Sequence, residues 1–218
     1  MITSKRTFAV FILTLLFFFT TLAAAGETKN IQLPGPQMEG GKPLMEALKD
    51  RHSSRSFSSK EISVQTLSNL LWAAFGINRP DSGKRTAPSA LNWQEIDIFV
   101  ATSQGLYIYQ ASDHSLQLVI ADDIRDKTGT QSFVGRVPIN LVYVADYSRM
   151  GTAPTEKKDF YSAADTGFIG QNVYLYCASE GLATVVRASI NKPTLAKMMQ
   201  LRPDQKIILA QSVGYPID

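Results

Sequence analysis

Hydrophobic and polar positions fall into three patterns along this chain. The first is an apolar run from Phe8 to Leu22, preceded by Lys5 and Arg6 and followed by Ala23-Ala24-Ala25-Gly26. A basic start, a short apolar stretch and small residues at its end are the marks of a secretory signal peptide, here residues 1–25 with cleavage after Ala25. The run falls short of the ~20 residues a spanning helix needs, and no second run of comparable length follows. The sequence therefore predicts a protein exported to the periplasm or beyond, soluble and without a membrane span once the signal is removed.

The other two patterns are the helical and strand periods. Residues 26–41 carry Pro34, Gly35, Pro36 and Gly40 with no apolar period, and read as a linker. Pro43 opens a short helix through Leu44, Ala47 and Leu48. Ser63 caps a longer one, in which Val64, Leu67, Leu70, Leu71 and Ala74 recur at helical spacing until Gly76. Ile96, Ile98 and Val100 then alternate, Gly105–Tyr109 returns, and Leu116, Leu118 and Ile120 add a third strand of an antiparallel meander. Val137–Ala145 is nearly continuous in apolar residues, as a buried central strand requires. Lys157–Glu180 is the longest predicted helix, with small residues at Ala163, Ala164, Gly167 and Gly170 and a stop at Gly181. A strand over Leu182–Val186, a helix capped by Asn191 through Leu195, Met198 and Met199, and a strand over Ile207–Val213 complete the chain. Without strict βαβ alternation, this order predicts an α+β domain over residues 42–218.

Composition narrows the function classes. The 218 residues are 44% hydrophobic and 19% charged, which suits one globular domain with a real core. A net charge of +3, with scattered Lys and Arg, does not describe a nucleic-acid surface. Cys177 is the single cysteine, which leaves no intramolecular disulfide or thiolate metal cluster, and its apolar neighbours predict a small buried hydrophobe. His52 and His114 are too few and too far apart to suggest a metal site. His52-Ser53 is not embedded in a Gly-x-Ser-x-Gly elbow, so a serine hydrolase is not indicated.

Four segments carry the chemistry: Arg51-His52-Ser53-Ser54-Arg55-Ser56-Phe57, Arg85-Thr86-Ala87-Pro88-Ser89-Ala90-Leu91-Asn92-Trp93-Gln94, Glu180-Gly181-Leu182-Ala183-Thr184, and Gly214-Tyr215-Pro216. Taken singly, the first is a polar turn and the third a helix stop. In this order they resemble the motifs of the FMN-dependent nitroreductase superfamily, and in particular its short branch that includes the dehydrogenases of thiazole- and oxazole-forming peptide pathways. The resemblance implies a three-layer α+β fold with a central, mostly antiparallel sheet flanked by helices. It also implies FMN as cofactor, a homodimer with the flavin at its interface, and hydride transfer at flavin N5 by a ping-pong mechanism between a small-molecule donor and acceptor.

The chemistry fits those residues. A terminal phosphate dianion suits Arg51 with His52, Ser53 and Ser54, and Arg55 matches the family position that places a cation beside the pyrimidine end, where reduction adds negative charge. Ser89, Asn92 and Gln94 offer donors and acceptors to that polar edge. Glu180, Gly181 and Leu182 are candidate flavin contacts at N5, where a backbone N–H can hold the nitrogen and Gly181 allows the approach because it has no side chain. Longer members of the family continue past Gly-Tyr-Pro into a basic tail that helps bind the phosphate. Here the sequence ends at Asp218, and Arg187 is the candidate substitute. Trp72, Trp93, Phe168 and Tyr174 are candidates for an aromatic pocket, although such spacing is more often core. The substrate is not named by the sequence. Two other functions fit the same motifs: a flavin-binding or interaction protein without turnover, and a dehydrogenase acting on peptide azolines.

Overall fold

The computed structural model of the protein describes residues 30–217, so the expected signal peptide lies outside the described residues. In chain order the elements are β1 (Ile31–Gln32), α1 (Leu44–Asp50), α2 (Val64–Phe75), β2 (Ile77–Arg79), β3 (Lys84–Arg85), β4 (Ile96–Thr102), β5 (Gly105–Gln110), β6 (Ser115–Ile120), β7 (Ile139–Asp146), α3 (Thr155–Glu180), β8 (Ala183–Arg187), α4 (Lys192–Met198) and β9 (Gln205–Gly214). Seven strands form one sheet in the order β1-β6-β5-β4-β7-β9-β8, while β2 and β3 pair separately as a small hairpin. Every pairing among the described strands is antiparallel.

The nearly continuous apolar run Val137–Ala145 predicts the middle of the sheet correctly. All residues of β7 are buried, and it lies between β4 and β9. Its alternate side chains serve two cores. Leu141, Tyr143 and Ala145 pack with Leu70 and Leu71 of α2 and Ile169 and Val173 of α3. Val142 and Val144 pack on the other face with Leu195 of α4 and Met199 just after it. The result is the three-layer arrangement expected from the resemblance: α1, α2 and α3 on one side, the sheet, then α4 and short helical turns.

Local chemistry sets the helix ends. Ser63 Oγ accepts from Thr66 N at 3.1 Å and caps α2. The α3 helix ends where Gly181 enters the left-handed region at φ 68°, which a residue without Cβ adopts at no steric cost. A buried relay ties α3 to the sheet: Tyr143 Oη donates to Gln211 Oε1, and Gln211 Nε2 reaches Gly170 O.

The linker reading of residues 26–41 is corrected over its described part. β1 pairs with β6, and Leu33 is buried. Ser68 Oγ donates to Pro34 O, Gln65 Nε2 donates to Gly35 O, and Gln37 N donates to Asn69 Oδ1. The segment has no periodicity because two residues paired with β6, His114 O and polar side chains of α2 satisfy its backbone.

Candidate functional site

Residues 51–58 run as an extended strap from the end of α1 across the ends of β8 and β9. Ser54 N donates to Thr184 O at 2.9 Å and Ser58 N donates to Tyr215 O at 2.8 Å. Tyr174 of α3 holds the strap from beneath. Its hydroxyl lies 2.8 Å from Ser53 Oγ and accepts from Val186 N at 2.9 Å. The Arg51 guanidinium sits over the Tyr174 ring, 5.3 Å from its centroid. The last motif packs on the first: a Cβ on Gly214 would meet Pro138 at 2.9 Å and Phe57 at 3.2 Å, so glycine is what lets the strap lie this close.

At the α3 terminus, Gly181 lies open, with nothing within 4 Å of an added Cβ. A cavity of about 430 Å³ here is bounded by Gly181, Leu182, His52, Lys42 and Pro216. The expected backbone donors are not free, however. The N–H groups of Gly181 and Leu182 both turn back to Cys177 O, as the left-handed helix stop requires. Any N–H presented to a ligand's ring nitrogen must come from elsewhere, and glycine's contribution here is open space.

The second segment is a strained loop packed beside the N-terminal half of α3. Leu91, Asn92 and Gln94 have φ of 50°, 55° and 48°, left-handed conformations that non-glycine residues adopt at a cost. Polar contacts hold the loop. Ser89 Oγ accepts from Gln94 N at 3.0 Å, Gln94 Nε2 donates to Asn92 Oδ1 at 3.1 Å, and Arg85 Nε donates to Gln94 Oε1 at 2.7 Å. Asp165 Oδ2, from the middle of α3, accepts from Ala90 N at 2.9 Å. Beside it lies Glu95, wholly buried, whose carboxyl oxygens have no donor among the described residues. Burial raises the Glu95 carboxyl to about 7, and the neighbouring Asp165, also raised by burial, adds to the effect.

A nitroreductase family model matches residues 48–215. The chain belongs to the nitroreductase family. A solved nitroreductase of Ralstonia eutropha is 43% identical, with a TM-score of 0.84 over 89% of this chain and 93% of that one. A chain from the Escherichia coli microcin synthetase complex with truncated pro-MccB17 shares the fold at 21% identity, with a TM-score of 0.67 over 98% of this chain and 85% of that one. The NADPH:FMN oxidoreductase of Vibrio harveyi, solved with NAD⁺, shares it at 19% identity, with a TM-score of 0.62 over 80% and 69%.

Within this nitroreductase-family chain the structure joins some predicted residues and separates others. Arg51, His52, Ser53 and Ser54 gather with Glu180, Gly181 and Leu182 around the α3 C-terminus. Ser89, Asn92 and Gln94 form a second group on the loop anchored at Asp165. Asp165 lies nine residues before Tyr174 and sixteen before Gly181, so the groups stand on the order of 13 to 24 Å apart along the helix axis.

Arg187 is a correction. It alternates with Val185 and Ala183 on the face of β8 turned away from α3, and is 4% exposed. There it donates to Thr128 O, Asn140 Oδ1 and Ser212 Oγ. Burial without an acidic partner lowers it to about 10, still protonated at neutral pH. It is a structural cation with its donors committed. The four candidate aromatics do not converge either: Phe168 is exposed on α3, Tyr174 lies under the strap, Trp72 lines the α2 side and Trp93 the strained loop. Cys177 is buried as expected, and desolvation pushes its thiol well up.

Two cations absent from the motifs stand beside the strap. Lys42 shares the Gly181 cavity and is held by Asp50 at 2.6 Å. Arg136, just before β7, lines a cavity of about 340 Å³ together with Arg55, Ser56 and Ser59. Neither Arg55 nor Arg136 has a carboxylate within ion-pair distance among the described residues. Both follow from the fold: no motif spacing links position 42 or 136 to residues 51–55. Among the described residues no cluster of His, Cys, Asp or Glu could hold a metal ion.

Proposed function

We propose that the protein is an exported FMN-dependent oxidoreductase whose flavin lies along the strap of residues 51–58. The observation carrying this reading is the strap itself. Arg51, Ser53 and Ser54 sit at the open glycine turn of Gly181, and Arg55 and Arg136 line the neighbouring cavity without an acid among the described residues. That donor set fits an anionic, planar cofactor: charge-assisted N–H and O–H groups for a phosphate and two exposed cations for the end of the ring that becomes more negative on reduction. When bound, FMN would supply hydride acceptance and return at N5, donor and acceptor taking turns in one site. Arg51, Ser53 and Ser54 would hold the phosphate, Tyr174 orients Ser53 for it, and Arg55 with Arg136 would face the pyrimidine end of the ring.

Two outcomes test the assignments. Arg51→Ala should weaken FMN by about 1.5–3 kcal/mol while leaving riboflavin nearly unaffected, because only FMN carries the phosphate. Equal losses for both, read by fluorescence titration, would remove Arg51 from the phosphate. Arg55→Met should lower the midpoint potential of bound flavin by tens of mV, about 30 mV for each 1.4 kcal/mol of lost preference for the reduced form. An unchanged potential with undiminished FMN binding counts against that role.

The separation of the two residue groups supports a homodimer in which the Asn92 loop of one copy meets the strap of the other. The outer face of α3 suits such a contact, with Phe160 67% and Phe168 49% exposed around Gly167, which has open space beside it. Light scattering should give twice the mature mass; a monodisperse monomer that still holds FMN would contradict the shared site. Export would place the enzyme where nicotinamide nucleotides are scarce, so its donor is a reduced small molecule or redox partner in place of NAD(P)H.

A further inference from the structure

Residues 31–37 precede the part of the chain that the family model matches, and one histidine fastens them to the domain. His114 sits in the β5–β6 turn with φ 51°. Its backbone oxygen accepts from Leu33 N at 3.2 Å and from Gln32 Nε2 at 3.3 Å. Its ring joins two further elements: Nε2 lies 2.7 Å from Ser68 Oγ of α2, and Nδ1 lies 2.9 Å from Tyr109 Oη of β5. Ser68 and Tyr109 are buried, whereas His114 is only half-buried and meets solvent on one side.

The protons of this relay have one arrangement that satisfies every group. Ser68 Oγ donates its single proton to Pro34 O at 2.5 Å, so it accepts from His114 Nε2–H. A neutral imidazole then presents Nδ1 as an acceptor, and Tyr109 Oη donates to it. A second ring proton, on Nδ1, would face the Tyr109 hydroxyl proton. Tyr109 would have to turn that proton away, and its hydroxyl has no other acceptor among the described residues. The charges nearby offer little compensation. Asp113 is the carboxylate beside the ring and already accepts from Ser115 Oγ, while Arg85 faces Tyr109 with a like charge. No other charged side chain lies on residues 31–37, α2, β5 or β6. Burial accordingly holds the imidazole below its ordinary value, with Pro34 O and Asp113 opposing.

The same segment continues as a roof. Gln37 N is held by Asn69 Oδ1, and Lys42 N donates to Ser179 Oγ at 2.7 Å. Between these anchors Gly40 and Gly41 turn at φ 110° and 72°. Residues 37–42 thereby cover a groove of about 560 Å³ floored by Trp72 and Ala73 of α2 and Leu175 and Tyr176 of α3.

We propose that His114 is an acid-sensitive latch: neutral, it fastens residues 33–37 to α2 and keeps the groove roofed; protonated, it releases them. The released ring titrates near its ordinary ~6.5, and the docked ring resists the proton, so docking weakens as pH falls through that value. His114, Ser68 and Tyr109 are not candidate flavin contacts, and the latch stands without the flavin reading.

The test follows the mature protein by hydrogen exchange and NMR from about pH 7.5 to about pH 5, across the histidine range. Corrected for intrinsic rates, protection at the Leu33 and Gln37 amides should fall by about tenfold, while amides of β7 keep theirs. At neutral pH the ring nitrogen shifts should place the proton on Nε2 and leave Nδ1 bare. His114→Asn keeps a residue that tolerates the left-handed turn and removes the titrating ring. Its Leu33 and Gln37 protection should change by less than about twofold over the same range. Flat wild-type protection, a proton on Nδ1 at neutral pH, or an undiminished pH dependence in His114→Asn would each overturn the latch. The first two readings need no variant, so a poorly folding substitution cannot obscure the answer.

Discussion

Replacing Arg187 with alanine is expected to cost about 2–4 kcal/mol of folding stability while leaving FMN affinity unchanged. The guanidinium serves Thr128 O, Asn140 Oδ1 and Ser212 Oγ in a region sealed from water. Truncation leaves those acceptors short of donors and opens a void beside Gly129, whose added Cβ would lie 1.9 Å from Nη1. Arg187→Met should recover part of the packing but none of the hydrogen bonds. Denaturant unfolding measures the loss, and FMN titration of the folded variant measures the second half. A selective loss of FMN over riboflavin with little change in stability would return Arg187 to the phosphate.

The second large effect is one of pH. Glu95 and Asp165 lie together without a cation among the described residues, so the pair is expected to keep a proton that two separate surface carboxyls would lose. In the unfolded chain Glu95 titrates near its ordinary 4.5; in the fold burial holds it at about 7. Between those values the folded state binds more protons, so stability falls as pH rises. The contribution is fully present below the unfolded value and lost above the folded one. Glu95→Gln keeps the shape of the protonated carboxyl and removes the titration. Relative to wild type it should gain about 2–3 kcal/mol between pH 4 and pH 8. Parallel stability profiles for the two proteins would mean that no proton is held there. The pair also anchors the strained loop through Ala90, so hydrogen exchange at that amide should accelerate beyond the intrinsic pH effect in wild type and not in Glu95→Gln.

What the sequence disclosed, and what it did not, follows the range of the interactions. β7 was legible because a strand buried on both faces needs a nearly continuous apolar run. α2 was legible because its cap, its period and its stop all lie within one stretch. The strap and the Gly181 turn were legible as motifs, since their residues are neighbours in the chain. Arg187 was misjudged because its face on β8 depends on pairing with β9, although its alternation with Ala183 and Val185 hinted at it. Glu95 meets Asp165 across 70 positions, and Arg55 meets Arg136 across 81, separations over which no local pattern speaks. Residues 31–37 looked unstructured because their hydrogen bonds go to β6 and to side chains of α2, not to each other.

The central claim is that the strap of residues 51–58 holds FMN for turnover. The direct measurement is the absorbance spectrum of the purified protein, followed by identification of the released cofactor and anaerobic reduction with added donors. The account predicts a yellow protein with stoichiometric, noncovalent FMN that is bleached by a donor and reoxidised by an acceptor such as a quinone or nitroarene. A protein that is colourless and takes up no added FMN, or that binds it without ever being reduced, would contradict it.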